Sequence, residues 1–229
     1  MKKYRLIKYI LIAACLVLSV SGCSAKKKMK PKNESHEALL EKGLRQMKKG
    51  DFMRSLNTLQ TVKDRYPYTK SAIVASLKLA DTQFELDKFT NALELYEEFE
   101  RFHPKDENTP YVMYQKGMCY FVQIRSYDRE QELIIKASQM FQRLIQKYPD
   151  DEYANKAKKN LRKCLAYMAQ YEVYVGNFYF KMGKYQSALD RYIYSIKKYP
   201  DMGHYHEALE NIARCRQKLA ELNRTAKAD

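Results

Sequence analysis

Apolar residues return every three or four positions over most of this chain, and the pattern breaks at four prolines. "RYPY" (65–68), "FHPK" (102–105), "KYPD" (147–150) and "KYPD" (198–201) each close such a stretch. An apolar period near 3.6 is that of an amphipathic helix, and proline, fixed in φ and lacking an amide hydrogen, cannot continue one. The pattern predicts paired helices, each pair ending at a proline. Between Pro149 and Pro200 the apolar positions run through 157, 161, 164, 165, 168, 171, 175, 178, 179 and 182. That predicts one helix of about 30 residues, about 45 Å long. A last helix over 204–222 is expected to cover the end, leaving a fifth unit partial.

Aligning on the prolines exposes a repeated unit. Gly43, Gly50, Phe52, Leu59 and Pro67 mark the first; Ala80, Asp87, Phe89, Ala92, Tyr96 and Pro104 mark the second. Gly117, Ala137, Phe141 and Pro149 mark the third; Gly176, Gly183, Tyr185, Ala188, Tyr192 and Pro200 mark the fourth. Small residues let two helices approach, and an aromatic or leucine fills the space beside them. The unit matches the tetratricopeptide pattern, with its period of about 34 residues. The expected fold is all-α: a superhelical tetratricopeptide-repeat array of antiparallel helix pairs, four to five repeats with a long connecting helix before the last pairs. Its halves are expected at 35–150 and 151–229. In the third unit Gly117 and Ala137 are separated by twenty positions, where about twelve are expected. The surplus is a charged loop, "RSYDREQEL" (125–133).

The N-terminus follows other rules. Residues 2–8 ("KKYRLIK") are basic and Tyr9 to Val20 are apolar, short of the roughly 20 residues a membrane span needs. This reads as a signal-peptide core. "Val20-Ser21-Gly22-Cys23" resembles the lipobox of bacterial lipoproteins. The resemblance implies removal of residues 1–22, a diacylglyceryl thioether on Cys23 and acylation of the new N-terminus. More than one acyl chain matters, because a single chain holds a protein only marginally. Ser24, not Asp, follows the cysteine, which implies the outer membrane.

Composition agrees with an ordered helical body: 45% of residues are apolar, and only 7 Gly and 6 Pro occur, too few for an all-β sandwich. The net charge of +15 falls to +11 (15 − 4) without Lys2, Lys3, Arg5 and Lys8. Lys26, Lys27, Lys28, Lys30 and Lys32 make residues 23–34 a basic linker. Elsewhere the signs interleave as on solvated helix faces. Anionic lipid headgroups suit that linker, and no base-stacking aromatic strip points to nucleic acid. Cys119, Cys164 and Cys215 sit on apolar helix faces without Cys-x-x-Cys spacing and read as small buried hydrophobes, with at most one disulfide among them.

No Gly-rich phosphate loop or nucleophile elbow is present. "HYHE" (204–207) places two histidines at i, i+2, on different sides of a helix, and "SYDRE" (126–130) reads as a wet loop. No enzyme, cofactor or metal is expected. Repeat arrays bind on the concave face built by the first helix of each pair. There the pattern places Leu40, Leu44 and Met47, then Leu77, Asp81 and Phe84, then Tyr114, Met118 and Phe121. This reads as one apolar groove for an extended peptide. In the fourth unit, inward Ala188 and Tyr192 leave Asp190 and Arg191 facing outward, with Arg191 available to a partner's carboxylate.

Together the lipobox, basic linker and repeats resemble the BamD family, lipoproteins of the outer-membrane β-barrel assembly machine. The most particular segments are "DRYPY" (64–68), "PYVMYQKG" (110–117), "YDRE" (127–130), "AQYEVYVGNFYFKMGKY" (169–185) and "DRYIYSIKKYPD" (190–201). The resemblance implies a non-enzymatic scaffold at the periplasmic face of the outer membrane. It also implies docking of the C-terminal half, through Arg191, onto POTRA domains of a BamA-like barrel protein. The N-terminal repeats would receive C-terminal aromatic signals of unfolded outer-membrane proteins, and other Bam lipoproteins are further expected partners. A pilotin-like or secretin-assembly lipoprotein would share the lipobox and repeats but not the "YVMY" segment or the insertion, and an adaptor for periplasmic cell-wall enzymes is the other alternative.

Overall fold

The computed structural model describes residues 34–226; the leader, Cys23 and nearly all of the basic linker lie outside the described residues. Within them the chain is all helix: α1 (His36–Lys48), α2 (Phe52–Arg65), α3 (Lys70–Glu85), α4 (Phe89–Phe102), α5 (Thr109–Phe121), α6 (Gln131–Lys147), α7 (Glu152–Lys181), α8 (Tyr185–Lys198) and α9 (Tyr205–Thr225). Each packs chiefly on its neighbours in sequence, as antiparallel pairs of an array.

The prolines act through the residue ahead of them. Tyr66, His103, Tyr148 and Tyr199 cap α2, α4, α6 and α8, with φ between −127° and −136°. Proline Cδ excludes the residue before it from the helical region, so each second helix stops there. Turns inside pairs are equally regular. Gly50 (φ +75°), Asp87 (+56°) and Gly183 (+72°) occupy one place in three units, all left-handed, and only the second unit carries a side chain there.

Pairs close through small residues under large ones. A methyl group on Gly176 would fall 2.6 Å from Tyr192 Cε1, and one on Gly117 would run into the Phe141 ring. Ala80 and Tyr96, both fully buried, share a cluster in the second unit. Burying one such large side chain contributes about 1.5–3 kcal/mol. A polar tie accompanies the contact in two units. Tyr96 Oη donates to Asp81 Oδ1 (2.8 Å) and Tyr192 Oη to Asn177 Oδ1 (2.7 Å), each acceptor following the small residue. Tyr111 Oη also donates to Asp81 Oδ1 (2.8 Å), so one buried carboxylate joins α3, α4 and α5.

The 30-residue α7 changes partners along its length. Ala154, Ala157 and Cys164 close the cluster built by Met113, Ile134, Phe141 and Leu144. Val173 then opens the next, with Leu189, Tyr192, Ile212 and Cys215. A single rod thus links the third and fourth units. The surplus in the third unit is the connection between Phe121 and Gln131. Residues 131–133 of the expected loop are helical, and α9 runs to Thr225, beyond the expected end at 222. Within the connection the Ser126 amide donates to Glu130 Oε2 (2.8 Å), and the Tyr127 ring meets Tyr174 of α7 edge-on.

Candidate polypeptide-binding faces

The nine residues expected to line one continuous groove fall in three separate environments. Leu40 packs on the cluster of Leu39, Leu59, Val62 and Leu79, while Leu44 and Met47 are half-buried on the same helix. Leu77, only 4% exposed, belongs to the core of the second unit. Asp81 is consumed by Tyr96, Tyr111 and Lys78, whose Nζ lies 2.7 Å from Oδ2. Phe84 sits at the far end of α3, edge-on to Phe89.

The third set lies where α5 meets α7. Tyr114 stacks obliquely on Tyr153 of α7 and accepts a hydrogen bond from Asn160 Nδ2 (3.1 Å), which also approaches Met118 Sδ. Phe121 meets Phe141 edge-on and carries Lys163 of α7 over its ring. Tyr114, Met118 and Phe121 are half-buried beside the contact of α5 with α6 and α7, as Leu44 and Met47 are on α1.

What remains open lies between α3 and the approach to α5. A cavity of about 490 Å³ is lined by Ile73, Val74, Leu77 and Phe99, with Lys70 and Lys78 on one side and Asp106, Glu107 and Asn108 on the other. An apolar floor with charges of both signs at the rim suits an extended peptide: side chains bury below, while backbone and termini find polar partners above. The sequence pattern found Leu77 but missed the rim. Asp106–Asn108 belong to the inter-repeat loop, and Val74 stands one helical turn before Lys78 rather than on the core stripe.

The fourth unit presents the other candidate face. Asp190 is exposed and accepts from Gln186 Nε2 (3.0 Å). Arg191 is half-exposed, but its guanidinium is not idle: Nη1 lies 3.0 Å from Oε2 of Glu172 on α7, a carboxylate almost wholly covered. That bond raises the Arg191 pKa above its already high ordinary value. The rest of the guanidinium fork faces outward. Glu172, which fixes it, gave no signal in the sequence beyond lying inside the long helix.

Residues 32–229 match the family model described as "YfiO: Outer membrane lipoprotein". The chain belongs to this family. Relatives that bear the name "Outer membrane protein assembly factor BamD" include three from different bacteria. That from Neisseria meningitidis is 25% identical, covering 93% of this chain and 86% of the relative. That from Vibrio cholerae is 25% identical, over 93% and 92%. That from Caulobacter vibrioides is 27% identical, over 87% and 67%. Among solved structures, the TPR2AB domain of yeast Sti1 in its pHSP90 complex aligns at a TM-score of 0.46 and 16% identity, covering 80% of this chain and 70% of that one.

Membership associates this YfiO-family chain with the outer membrane. No helix among the described residues is long and apolar enough to cross a membrane. Cys119, Cys164 and Cys215 are free and buried in three different clusters, which separates them as disulfide partners. Burial pushes the Cys119 and Cys164 thiols up to about 12, so both stay protonated and inert at neutral pH. His204 Nδ1 lies 3.2 Å from Glu207 Oε2, and no metal-holding group of three or more ligands occurs among the described residues.

Proposed function

We propose that this chain is a lipid-anchored, non-enzymatic scaffold for assembling proteins into the outer membrane, tethered at the periplasmic face through acylated Cys23. The single observation that carries the reading is an open, apolar-floored cavity on a braced helical array, in a chain of the outer-membrane lipoprotein family. Relatives along nearly its whole length are named as assembly factors. In this reading the cavity beside Leu77 and Val74 takes the C-terminal aromatic segment of an unfolded outer-membrane protein. Leu40, Leu44, Met47 and Phe84 flank the path of the bound chain. Asp190 and the outward edge of Arg191 dock onto POTRA domains of a BamA-like barrel subunit, and further Bam lipoproteins bind elsewhere on the array. Rigidity matters because a preformed site avoids paying ordering entropy at each encounter.

Photo-crosslinking tests the substrate site. With a photoreactive residue at Val74, peptides ending in an aromatic residue are expected to label the chain, and amidated peptides ending in serine are not. Labelling from Tyr114 or Tyr194 but not from Val74 would exclude the cavity. Affinity purification from outer membranes tests the partner: a barrel protein carrying POTRA domains is expected to co-purify, and Cys23→Ala is expected to release the chain from the membrane fraction.

A further inference from the structure

A second cleft, sharing no lining residue with the cavity beside Leu77, lies where α4 and α6 end over α5. About 450 Å³ in size, it is lined by Glu97, Glu100, Arg101, Pro104, Lys116, Arg143 and Lys147. Its centre is a buried ion cluster. Glu100 accepts from Lys116 Nζ at Oε2 (3.1 Å) and from Arg143 Nη2 at Oε1 (2.7 Å). The Lys116 and Glu100 side chains are only 7% and 9% exposed, and Glu97 Oε1 lies 3.5 Å from the same amine.

The chemistry is lopsided. Four cations line the cleft against two carboxylates, and both oxygens of Glu100 are already taken. Arg143, half-exposed, contributes one terminal nitrogen to Glu100 and keeps a free edge of its fork. Arg101 lies over the Phe102 ring and Lys147 over the Tyr148 ring, each held by an aromatic face rather than by an acid. Arg101 and Lys147 occupy the last turns of α4 and α6, where a cation also complements the helix dipole. Lys116 and Arg143 are not at helix ends, and a dipole does not explain them. Taking Lys116 out of water costs free energy that Glu100 repays, and the pair fixes Arg143 in one orientation with unspent donors.

We propose that this cleft is a carboxylate-binding site for an acidic segment of a partner polypeptide, with Arg143 as the central donor and Arg101 and Lys147 beside it. A planar carboxylate matches the free edge of a guanidinium two bonds at a time. The volume admits a short stretch of chain rather than a lone ion. The cleft shares α4 with the cavity proposed for the aromatic peptide but none of its lining residues, and it stands without that reading.

The test uses the full chain in detergent and a fluorescein-labelled peptide, acetyl-Gly-Asp-Glu-Asp-Gly-amide, read by anisotropy, with the Asn-Gln-Asn version as control. Saturable binding of the acidic peptide is expected, at least tenfold tighter than the control. Arg143→Met is expected to weaken it tenfold or more. Because Arg143→Met also uncovers Glu100, Lys147→Met provides the variant that leaves the ion cluster intact: it should weaken binding severalfold with an unchanged melting temperature. Arg216→Met, an exposed cation on α9, should change nothing. Equal binding of the control peptide, an equal loss in Arg216→Met, or no loss in either cleft variant would overturn the proposal. So would competition by inorganic phosphate as effective as that by the unlabelled acidic peptide, which would reduce the cleft to a simple anion site.

Discussion

Tyr192 of α8 lies so close over Gly176 of α7 that a single added methyl group would stand 2.6 Å from the ring carbon Cε1. The ring is 1% exposed and its hydroxyl is tied to Asn177, so it has nowhere to retreat. Helix propensity alone favours alanine over glycine by about 1 kcal/mol. Overpacking a filled interior costs about 1–3 kcal/mol. Gly176→Ala is therefore expected to be net destabilising by up to about 2 kcal/mol, visible as a lowered denaturant midpoint with an unchanged slope. A stabilised variant would mean that the helices do not meet here.

This contact was legible because it recurs. Gly43 with Leu59, Ala80 with Tyr96, Gly117 with Phe141 and Gly176 with Tyr192 keep one relation even where an insertion separates the partners in sequence. The prolines fixed the ends of the second helices, and continuous periodicity gave α7. The ion clusters were not legible. Lys116, Glu100 and Glu172 carry the same letters as the solvated residues around them, and only the packing of three helices covers them. The α5–α7 junction was hidden for a related reason. Tyr114 and Asn160 stand 46 positions apart, because the insertion of the third unit lies between them, so the regular spacing does not pair them.

Asp81 holds two hydroxyls at once, that of buried Tyr96 and that of half-buried Tyr111, each at 2.8 Å. Removing the shared acceptor strands the buried Tyr96 donor, which costs about 1–3 kcal/mol, and leaves the half-buried Tyr111 donor to water at a smaller cost. Asp81→Ala is expected to lower stability by about 2–5 kcal/mol. Asp81→Asn, which keeps an oxygen for the hydroxyls, is expected to cost clearly less. Urea denaturation of both variants gives the comparison. Equal losses would show that the charge pairing with Lys78 (2.7 Å), not the hydroxyl tie, is what Asp81 supplies.

Asp87 adopts φ +56° where the first and fourth units use glycine. A left-handed conformation costs a non-glycine residue roughly 1–2 kcal/mol, less for aspartate, and glycine's greater freedom in the unfolded chain returns part of any gain. Asp87→Gly is expected to stabilise by about 0.5 kcal/mol, and Asp87→Val to destabilise by more than that. Thermal melts of the three proteins check the order.

Burial raises Cys119 and Cys164 from 9.0 to about 12, and Tyr192 and Tyr199 from 10.0 to about 12. In each case the folded chain keeps a proton that the unfolded chain releases earlier. The stability from keeping these groups neutral is thus fully present below pH 9 and is lost as pH rises toward 12. Unfolding free energy is expected to stay level from pH 7 to pH 9 with respect to these groups, then to fall. Denaturant titrations at pH 7, 9, 10.5 and 12 measure the slope. Replacing Cys119 and Cys164 by alanine should flatten its lower part, between pH 9 and 10.

Arg191 has two tasks in the proposed scaffold, and they separate experimentally. One guanidinium nitrogen holds Glu172, which is 12% exposed at its side chain, and the outward edge is available to a partner. Arg191→Glu would place a second carboxylate against Glu172 and confound folding with docking. Arg191→Met combined with Glu172→Gln removes both charges together, leaving no buried carboxylate without its cation. Arg191→Met alone is expected to lower stability by more than the double variant does, since a covered charge left unpaired is costly. Association with a POTRA-bearing barrel protein should weaken in both, by about 2–5 kcal/mol if the guanidinium is desolvated at the contact. If the double variant bound like the parent chain, Arg191 would be a brace for Glu172 alone, and the docking role would pass to other residues of the fourth unit.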